Sequence, residues 1–521
     1  MKNFIFENVT FYYTSPYKVI FENLNLTIDC NWKTGLIGRN GRGKTTMLNL
    51  LQKKLFPQIG NIHHSKECFL FPYQADENFD TVYKFLKNNT APFDFWEKEM
   101  EKLTKNPTKE NLEKYGEIQE LFTNHNGYII DSLIEKELYD MKLENSILTR
   151  DLKTLSGGEK TKIQIILLFL KQNIFPLIDE PTNHLDIKGR EILSDYLNKK
   201  TGFILVSHDR FFLDSCVDHI ISINKSDIRI NQSTYSQWEE NMTLELNFEK
   251  KRNEKIKSNI KKLNEASRRS RKWSDSKESE KAAHTDKGAI GAQSARLMKQ
   301  AINFEKRIDK NIEEKSSLLK NLEKDYDLKI FNHPKTPSTL IDIKDLTIKY
   351  DDNVILKNFS MTLNKGDRVA ITGKNGSGKT SIFKALLNQI TYEGKIIFPD
   401  FIIFSLAKQI PEWNTGLLKN HVEKYFEENK FREILACLNV RGDIWEKPLE
   451  NFSEGERKKI EICKSIINPV MLLMWDEPLN YLDIPTRQKI QEAIIKYSPT
   501  MIFIEHDKYF TEKVATQIIE I

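Results

Sequence analysis

The chain has 521 residues, of which 29% are charged and 39% hydrophobic, with a formal net charge of +5. That length is too great for one ordinary core and predicts two or three domains, and the composition reads as soluble and globular. Its longest apolar runs, such as residues 163–170 with Gln164 inside, fall far short of the ~20 residues a membrane-spanning helix needs. Residues 1–6 lead directly into a strand-like pattern, without the layout of a signal peptide. The five cysteines, Cys30, Cys68, Cys216, Cys437 and Cys463, form no Cys-x-x-Cys pair, which favours reduced thiols in the cytoplasm over disulfides or zinc.

Residues 5–13 read as a strand that ends in an aromatic, Tyr13. Tyr13 could stack on a base, or serve as an ordinary strand aromatic like its neighbours Phe11 and Tyr12. A second apolar run leads into Gly38-Arg39-Asn40-Gly41-Arg42-Gly43-Lys44-Thr45, followed by Thr46. A Gly, four variable residues and Gly-Lys-Thr form a phosphate loop. Its backbone N–H groups cradle phosphates, Lys44 reaches the β and γ oxygens, and the Thr45 hydroxyl holds Mg²⁺. Residues 68–73 form another strand, and Gln74 after it could sense Mg²⁺ or an attacking water.

Within about 80–145, Trp96, Met100 and Leu103 recur at helical spacing, as do Leu112, Tyr115, Ile118 and Phe122. This predicts a helical arm, either a solvated structural hairpin or a surface for a partner. Leu155-Ser156-Gly157-Gly158-Glu159 then opens a helix that Ser156 can cap, leaving N–H groups to face a phosphate. Residues 175–178 form a buried strand that ends in Asp179, Glu180 and Pro181. Asp179 would hold Mg²⁺ through water, and Glu180 would polarise the attacking water as general base. Asp186 lies in a Leu-Asp-Ile turn expected near an opposing subdomain. His208 follows a further strand; alone it reads as structural, and within this ordered series it reads as a γ-phosphate ligand.

Residues 250–310 carry 19 Lys/Arg and 8 Asp/Glu, a net of +11, so the rest of the chain is acidic. Ile256, Ile260 and Leu263 mark one helical stripe. Leu297, Ala301, Phe304, Ile308 and Ile312 mark a second, which continues to Leu319 and Leu322. The pattern predicts two antiparallel helices, the first over about 248–273, joined by a polar loop over 274–291. A helix of that length spans roughly 40 Å at 1.5 Å per residue. Arg268, Arg269, Arg271, Lys272, Lys277, Lys281, Lys287, Arg296 and Lys299, with Trp273 among them, favour contact with a phosphate backbone.

The series then repeats. Residues 341–350 end in Tyr350, and Gly373-Lys374-Asn375-Gly376-Ser377-Gly378-Lys379-Thr380 is a second phosphate loop, followed by Ser381. Gln409, Ser453-Glu454-Gly455-Glu456, Asp476-Glu477-Pro478, Asp483 and His506 follow in the same order. Ser156 to Asp179 and Ser453 to Asp476 are both 23 residues, whereas lysine to serine is 112 in the first copy and 74 in the second. These are two copies of one domain, the first with a 38-residue insertion. Thr380, Gln409 and Asp476 would serve Mg²⁺ in the second copy as Thr45, Gln74 and Asp179 do in the first.

The set resembles the ATP-binding cassette superfamily over essentially the whole chain outside the linker. The resemblance implies an α/β fold of two tandem cassettes joined by a long α-helical hairpin: cassette one over 1–240, linker over 241–337, cassette two over 338–521. It implies ATP hydrolysis with Mg²⁺, and cassettes that close head to tail. One site would pair residues 38–45 with Ser453, Gly455 and Glu456; the other would pair residues 373–380 with Ser156, Gly157, Gly158 and Glu159. The chain departs at Glu454, where the family carries Gly. A carboxylate there is unfavourable beside a γ-phosphate unless it points away, so the two sites are expected to be unequal.

Two fused cassettes with a charged helical linker look like the ABC-F ribosome-binding ATPases. Asn31-Trp32-Lys33-Thr34-Gly35-Leu36, Gly288-Ala289-Ile290-Gly291-Ala292 and Trp475-Asp476-Glu477-Pro478-Leu479-Asn480-Tyr481-Leu482-Asp483 look like the Lsa-type antibiotic-resistance members. That resemblance implies a cytoplasmic protein, probing the E site of the bacterial 70S ribosome, 23S rRNA and P-site tRNA. It further implies displacement of lincosamide, pleuromutilin or streptogramin A drugs by a monomer whose two cassettes pair within the chain. Compared with Lsa-type members, the 274–291 loop is shorter and the first-domain insertion longer. The alternatives are a housekeeping ABC-F factor that rescues stalled ribosomes, the ATPase subunit of a drug exporter, and a nonspecific RNA or DNA ATPase.

Overall fold

The computed structural model describes residues 3–15, 17–73, 79–183, 185–224, 227–281, 327–350, 353–440 and 442–521. In the first cassette β1 (Asn3–Thr14) and β2 (Tyr17–Asp29) alternate buried and exposed residues, as a sheet covered on one face must. They lie antiparallel in the order β2-β1-β4, with β4 at Ile59–His63. A second sheet takes β3 (Lys33–Gly38), β5 (Glu67–Phe71), β6 (Ile174–Asp179), β7 (Phe203–Val206), β8 (His219–Ile223) and β9 (Ile228–Asn231), in the order β5-β6-β7-β3-β8-β9. All its pairings are parallel except β8 with β9. Helix α1 (Lys44–Leu51) gives Met47 and Leu48 to a core shared with Phe4 and Ile28 of the first sheet and Phe175 and Leu177 of the second. Truncating the fully buried Phe175 to Ala would cost about 3–5 kcal/mol.

A helical layer follows: α2 (Val82–Thr90), α3 (Phe93–Lys105), α4 (Lys109–Asn124), α5 (Ile130–Asp140), α6 (Gly157–Leu170), α7 (Ile187–Asn198) and α8 (Arg210–Cys216). The expected arm is α3 and α4, joined edge to face through Phe93, Trp96 and Phe122. Leu112 faces solvent, and only Trp96 and Phe122 of the expected stripe are fully buried.

Helix α9 (Tyr235–Lys281) runs 47 residues, roughly 70 Å at 1.5 Å rise. It starts before residue 248 and continues through Ser274, so the expected first-helix bounds and loop start are corrected. The reason lies in the backbone: no Gly or Pro interrupts residues 235–281, and polarity alone does not end a helix. The expected return stripe over 297–322 lies outside the described residues, as do Lys287, Arg296 and Lys299. The described residues of α9 from 237 to 281 belong to a separate unit from the one that holds both cassettes.

The second cassette repeats the first without the arm. β10 (Thr339–Tyr350), β11 (Asn353–Asn364) and β13 (Glu393–Ile397) form the antiparallel sheet. β12 (Arg368–Thr372), β14 (Phe404–Ala407), β15 (Leu472–Asp476), β16 (Met501–Ile504) and β17 (Gln517–Glu520) form the parallel one, in the order β14-β15-β16-β12-β17. Its helices are α10 (Lys379–Leu386), α11 (Leu418–Tyr425), α12 (Glu428–Cys437), α13 (Glu454–Ile466), α14 (Ile484–Tyr497) and α15 (Lys508–Val514). Leu328 and Ile330, assigned to the linker from the sequence, are buried in this cassette's core with Leu435 and Leu438. Among the described residues, no helix is long and apolar enough to cross a membrane.

Candidate functional site

The strand order explains how residues far apart in sequence meet. Neighbours β6, β7 and β3 bring Asp179–Glu180, Ser207–His208 and the first phosphate loop to one edge of the sheet, at the carboxyl ends of parallel strands. β15, β16 and β12 do the same for Asp476–Glu477, His506 and the second loop. Gln74 lies outside the described residues.

Each loop turns into its helix through a left-handed glycine. Gly43 has φ 104°, and an added Cβ would sit 2.5 Å from Ile20 Cγ2; Gly378 has φ 95°, with Ile355 Cγ2 at 2.8 Å. Lys44 Nζ donates to Gly38 O at 2.6 Å and to Asn40 Oδ1 at 3.2 Å, so its ammonium lies folded over the loop. Lys379 Nζ donates to Gly373 O at 2.9 Å and Lys374 O at 2.7 Å. Burial lowers both lysines, while Glu180, Asp483 and Asp179 oppose it at Lys44, and Glu477, Asp186 and Asp476 oppose it at Lys379. The hydroxyls of Tyr13 and Tyr350 meet Thr46 Oγ1 at 3.1 Å and Ser381 Oγ at 3.2 Å, which sets each ring at the start of the following helix.

The acids differ between copies. Burial pushes Asp179 and Asp476 each up to about 6. Burial and the neighbouring Asp179 push Glu180 to about 8, and its Oε1 has no hydrogen-bond partner, lying 3.4 Å from His208 Nε2. At Glu477 burial acts in the same direction but is outweighed by His506, Gln409 and the Lys458 charge, which hold the carboxyl low. Gln409 Nε2 and Asn480 Nδ2 both donate to Glu477 Oε2 at 2.8 Å, and His506 Nε2 stands 3.6 Å from Oε1. Both glutamates hold left-handed backbone, φ 51° and 47°, a strain that non-glycine residues tolerate where surrounding structure imposes it. Burial also drives His208 well below the usual imidazole range.

Ser156 and Ser453 each cap a helix. Ser156 Oγ accepts from Glu159 N at 3.2 Å, and Ser453 Oγ from Glu456 N at 3.2 Å. The same glutamates accept from the cap backbone N–H at 2.8 and 2.9 Å, so their carboxylates close their own helices. Glu454 is exposed and stands 3.9 Å from Arg457 on its own helix. The close approach belongs instead to Gly455, where a Cβ would lie 2.7 Å from Tyr481 O and 3.1 Å from Asn40 Nδ2.

The copies meet head to tail. Asn40 N donates to Asp483 Oδ2 at 3.0 Å, and Asn40 Nδ2 to Tyr481 O at 3.2 Å. Asn375 N donates to Asp186 Oδ2 at 3.4 Å. Arg190 Nη1 bonds Asp209 at 2.7 Å and reaches across to His506 O at 3.2 Å. Both Leu-Asp-Ile turns therefore lie at the opposing phosphate loop. Arg190 and its counterpart Arg487, which bonds Asp507 at 2.8 Å, were missed from the sequence; their shared position four residues after Asp186 and Asp483 was the available signal.

Asp476 Oδ1 is buried without a hydrogen-bond partner, beside the phosphate-loop Thr380. An orphaned carboxylate oxygen next to that hydroxyl fits a hard divalent cation. Two phosphate loops, each facing the other copy's Leu-Asp turn and each backed by two acids and a histidine, define a tandem cassette ATPase.

The sequence profile of the family described as ABC transporter matches residues 21–183 and 356–480. The chain is 28% identical to the ribosome protection protein VmlR of Bacillus subtilis (strain 168), over 95% of this chain and 83% of that protein. It is 24% identical to ABC transporter F family member 5 of Arabidopsis thaliana, over 96% and 73%. Its fold matches the archaeal ribosome recycling factor aABCE1, solved in complex with the ribosomal stalk protein aP1, with TM-score 0.60 and 17% identity over 98% of this chain and 87% of that one. The chain belongs to the ABC transporter family, in its ABC-F branch, and is an ATP hydrolase.

Proposed function

We propose that this ATPase binds the bacterial ribosome, places its basic helical linker in the E site and displaces drugs from the peptidyl-transferase centre. The observation that carries the reading is the net +11 over residues 250–310, set between two cassettes that meet head to tail. Ribosomal RNA is bound chiefly through phosphates and shape, which a long basic helix suits. Arg268, Arg269, Arg271, Lys272, Lys277 and Lys281 on α9, with Trp273, are the RNA contacts, joined by Lys287, Arg296 and Lys299. The similar VmlR is a ribosome protection protein, which supports the same reading. The protein acts in the cytoplasm as a monomer, its two cassettes pairing within one chain.

In each site the loop N–H groups and Lys44 or Lys379 hold the triphosphate. Thr45 with Asp179, and Thr380 with Asp476 and Gln409, hold Mg²⁺, which neutralises phosphate charge when bound. Glu477 takes a proton from water as the water's oxygen attacks the γ-phosphorus and the bond to the bridging oxygen breaks; Glu180 does so in the first site. His208 and His506 orient the γ-phosphate from the adjoining strand ends. Closure commits the linker to the ribosome, and hydrolysis releases it. The drugs are lincosamides, pleuromutilins or streptogramin A compounds.

The test is cell-free bacterial translation inhibited by a lincosamide. The purified protein with ATP is expected to restore synthesis. Rescue confined to stalling messages without drug would favour the housekeeping role instead. Binding to a membrane partner that survives deletion of residues 250–310 would favour an exporter subunit.

A further inference from the structure

Because the cassettes are copies, each buried side chain can be judged against its counterpart. Five residues after the signature serine stands Thr161 in the first copy and Lys458 in the second. Thr161 Oγ1 donates to Gly157 O at 3.0 Å, within its own helix α6. Lys458 is only 2% exposed and reaches out of α13. Its Nζ donates to the backbone oxygens of Lys408 at 2.9 Å, Gln409 at 3.3 Å and Asp476 at 3.2 Å. A buried ammonium is tolerated only where acceptors and countercharges replace its water. Three carbonyls do so here, with Glu505, Asp476 and Glu477 nearby.

Glu505 makes the same point from the other side. Its counterpart is Ser207, which meets Thr182 Oγ1 at 3.4 Å. Glu505 is a buried carboxylate that accepts from Leu479 N at 3.1 Å and His506 N at 2.8 Å. Two hydroxyl residues in one copy are thus a lysine and a glutamate in the other, near Gln409 and Glu477.

Helix α13 begins at the first composite site, where Gly455 packs against Asn40. One turn later the same helix grips the carbonyls beside Gln409 and Glu477 of the second. The structure assigns Lys458 as a positioning residue that links the two sites, so that ATP held at residues 38–45 sets the geometry for hydrolysis at Glu477. Thr161 spends its donor inside α6 and provides no matching link in the reverse direction. The assignment rests on Glu180 and Glu477 each serving its own cassette, and is independent of the ribosome.

The experiment measures steady-state ATP turnover of the full chain without ribosomes. In a Glu180→Gln background, turnover reports the second site; in Glu477→Gln, the first. Lys458→Met is expected to lower kcat at least tenfold in the first background, with KM moved less than threefold, and to lower kcat less than threefold in the second. Equal losses in both backgrounds, or a loss confined to KM, overturn the assignment. In the Glu180→Gln background, losses from Lys44→Ala and Lys458→Met should be non-additive by at least fivefold; simply multiplicative losses overturn the link. If Lys458→Met does not fold, Lys458→Gln, which keeps an N–H donor, is read by the same ratio of losses. Undiminished turnover in Glu180→Gln with Glu477→Gln would instead refute the glutamate roles themselves.

Discussion

The two composite sites differ in the setting of their acids. Both phosphate loops meet the opposing Leu-Asp turn, with Asn40 N at 3.0 Å from Asp483 Oδ2 and Asn375 N at 3.4 Å from Asp186 Oδ2. At the second site Gln409 and Asn480 orient Glu477 and its carboxyl is held low, whereas burial and Asp179 push Glu180 to about 8. A duplicated fold can thus divide its labour, with one site weighted toward cleaving ATP.

The largest test of that division removes both bases. Glu180→Gln with Glu477→Gln should cut turnover by about 10²–10⁴ in a phosphate-release assay, the usual worth of a positioned general base. The singles sharpen the comparison: Glu477→Gln should cost at least tenfold in kcat and Glu180→Gln only a few fold, and the reverse order would break it. Gly455→Ala comes next. Its methyl would sit 2.7 Å from Tyr481 O and 3.1 Å from Asn40 Nδ2, so the KM for ATP should rise severalfold, with a small change in melting temperature. The smallest effect is that of Asn40→Ala, which removes the side-chain bond to Tyr481 O; losing a hydrogen bond costs about 0.5–1.5 kcal/mol, so the KM for ATP should rise modestly.

Much of this site was legible because its parts are local. A phosphate loop, a strand ending in two acids and a histidine after a strand each declare themselves within ten residues, and the repeat made them mutually supporting. Contacts across the cassettes were less legible: Asn40 and Asp483 are 443 positions apart, and only the Leu-Asp-Ile turns hinted at them. Lys458 was invisible, since a lysine in a helix rich in Lys and Glu reads as solvated until burial is known. The reach of α9 is not legible in the sequence because Ser274 and the polar residues after it have a loop's composition, although no Gly or Pro breaks the run to Lys281. The sequence points to Glu454 rather than Gly455, because only the fold reveals which backbone must approach the other cassette.

The most direct test is sedimentation of the Glu180→Gln, Glu477→Gln protein with purified 70S ribosomes through a sucrose cushion. With ATP the variant should pellet with ribosomes near one to one, and without ATP, or with residues 250–310 deleted, it should stay in the supernatant. A variant that remains in the supernatant with ATP would contradict the account.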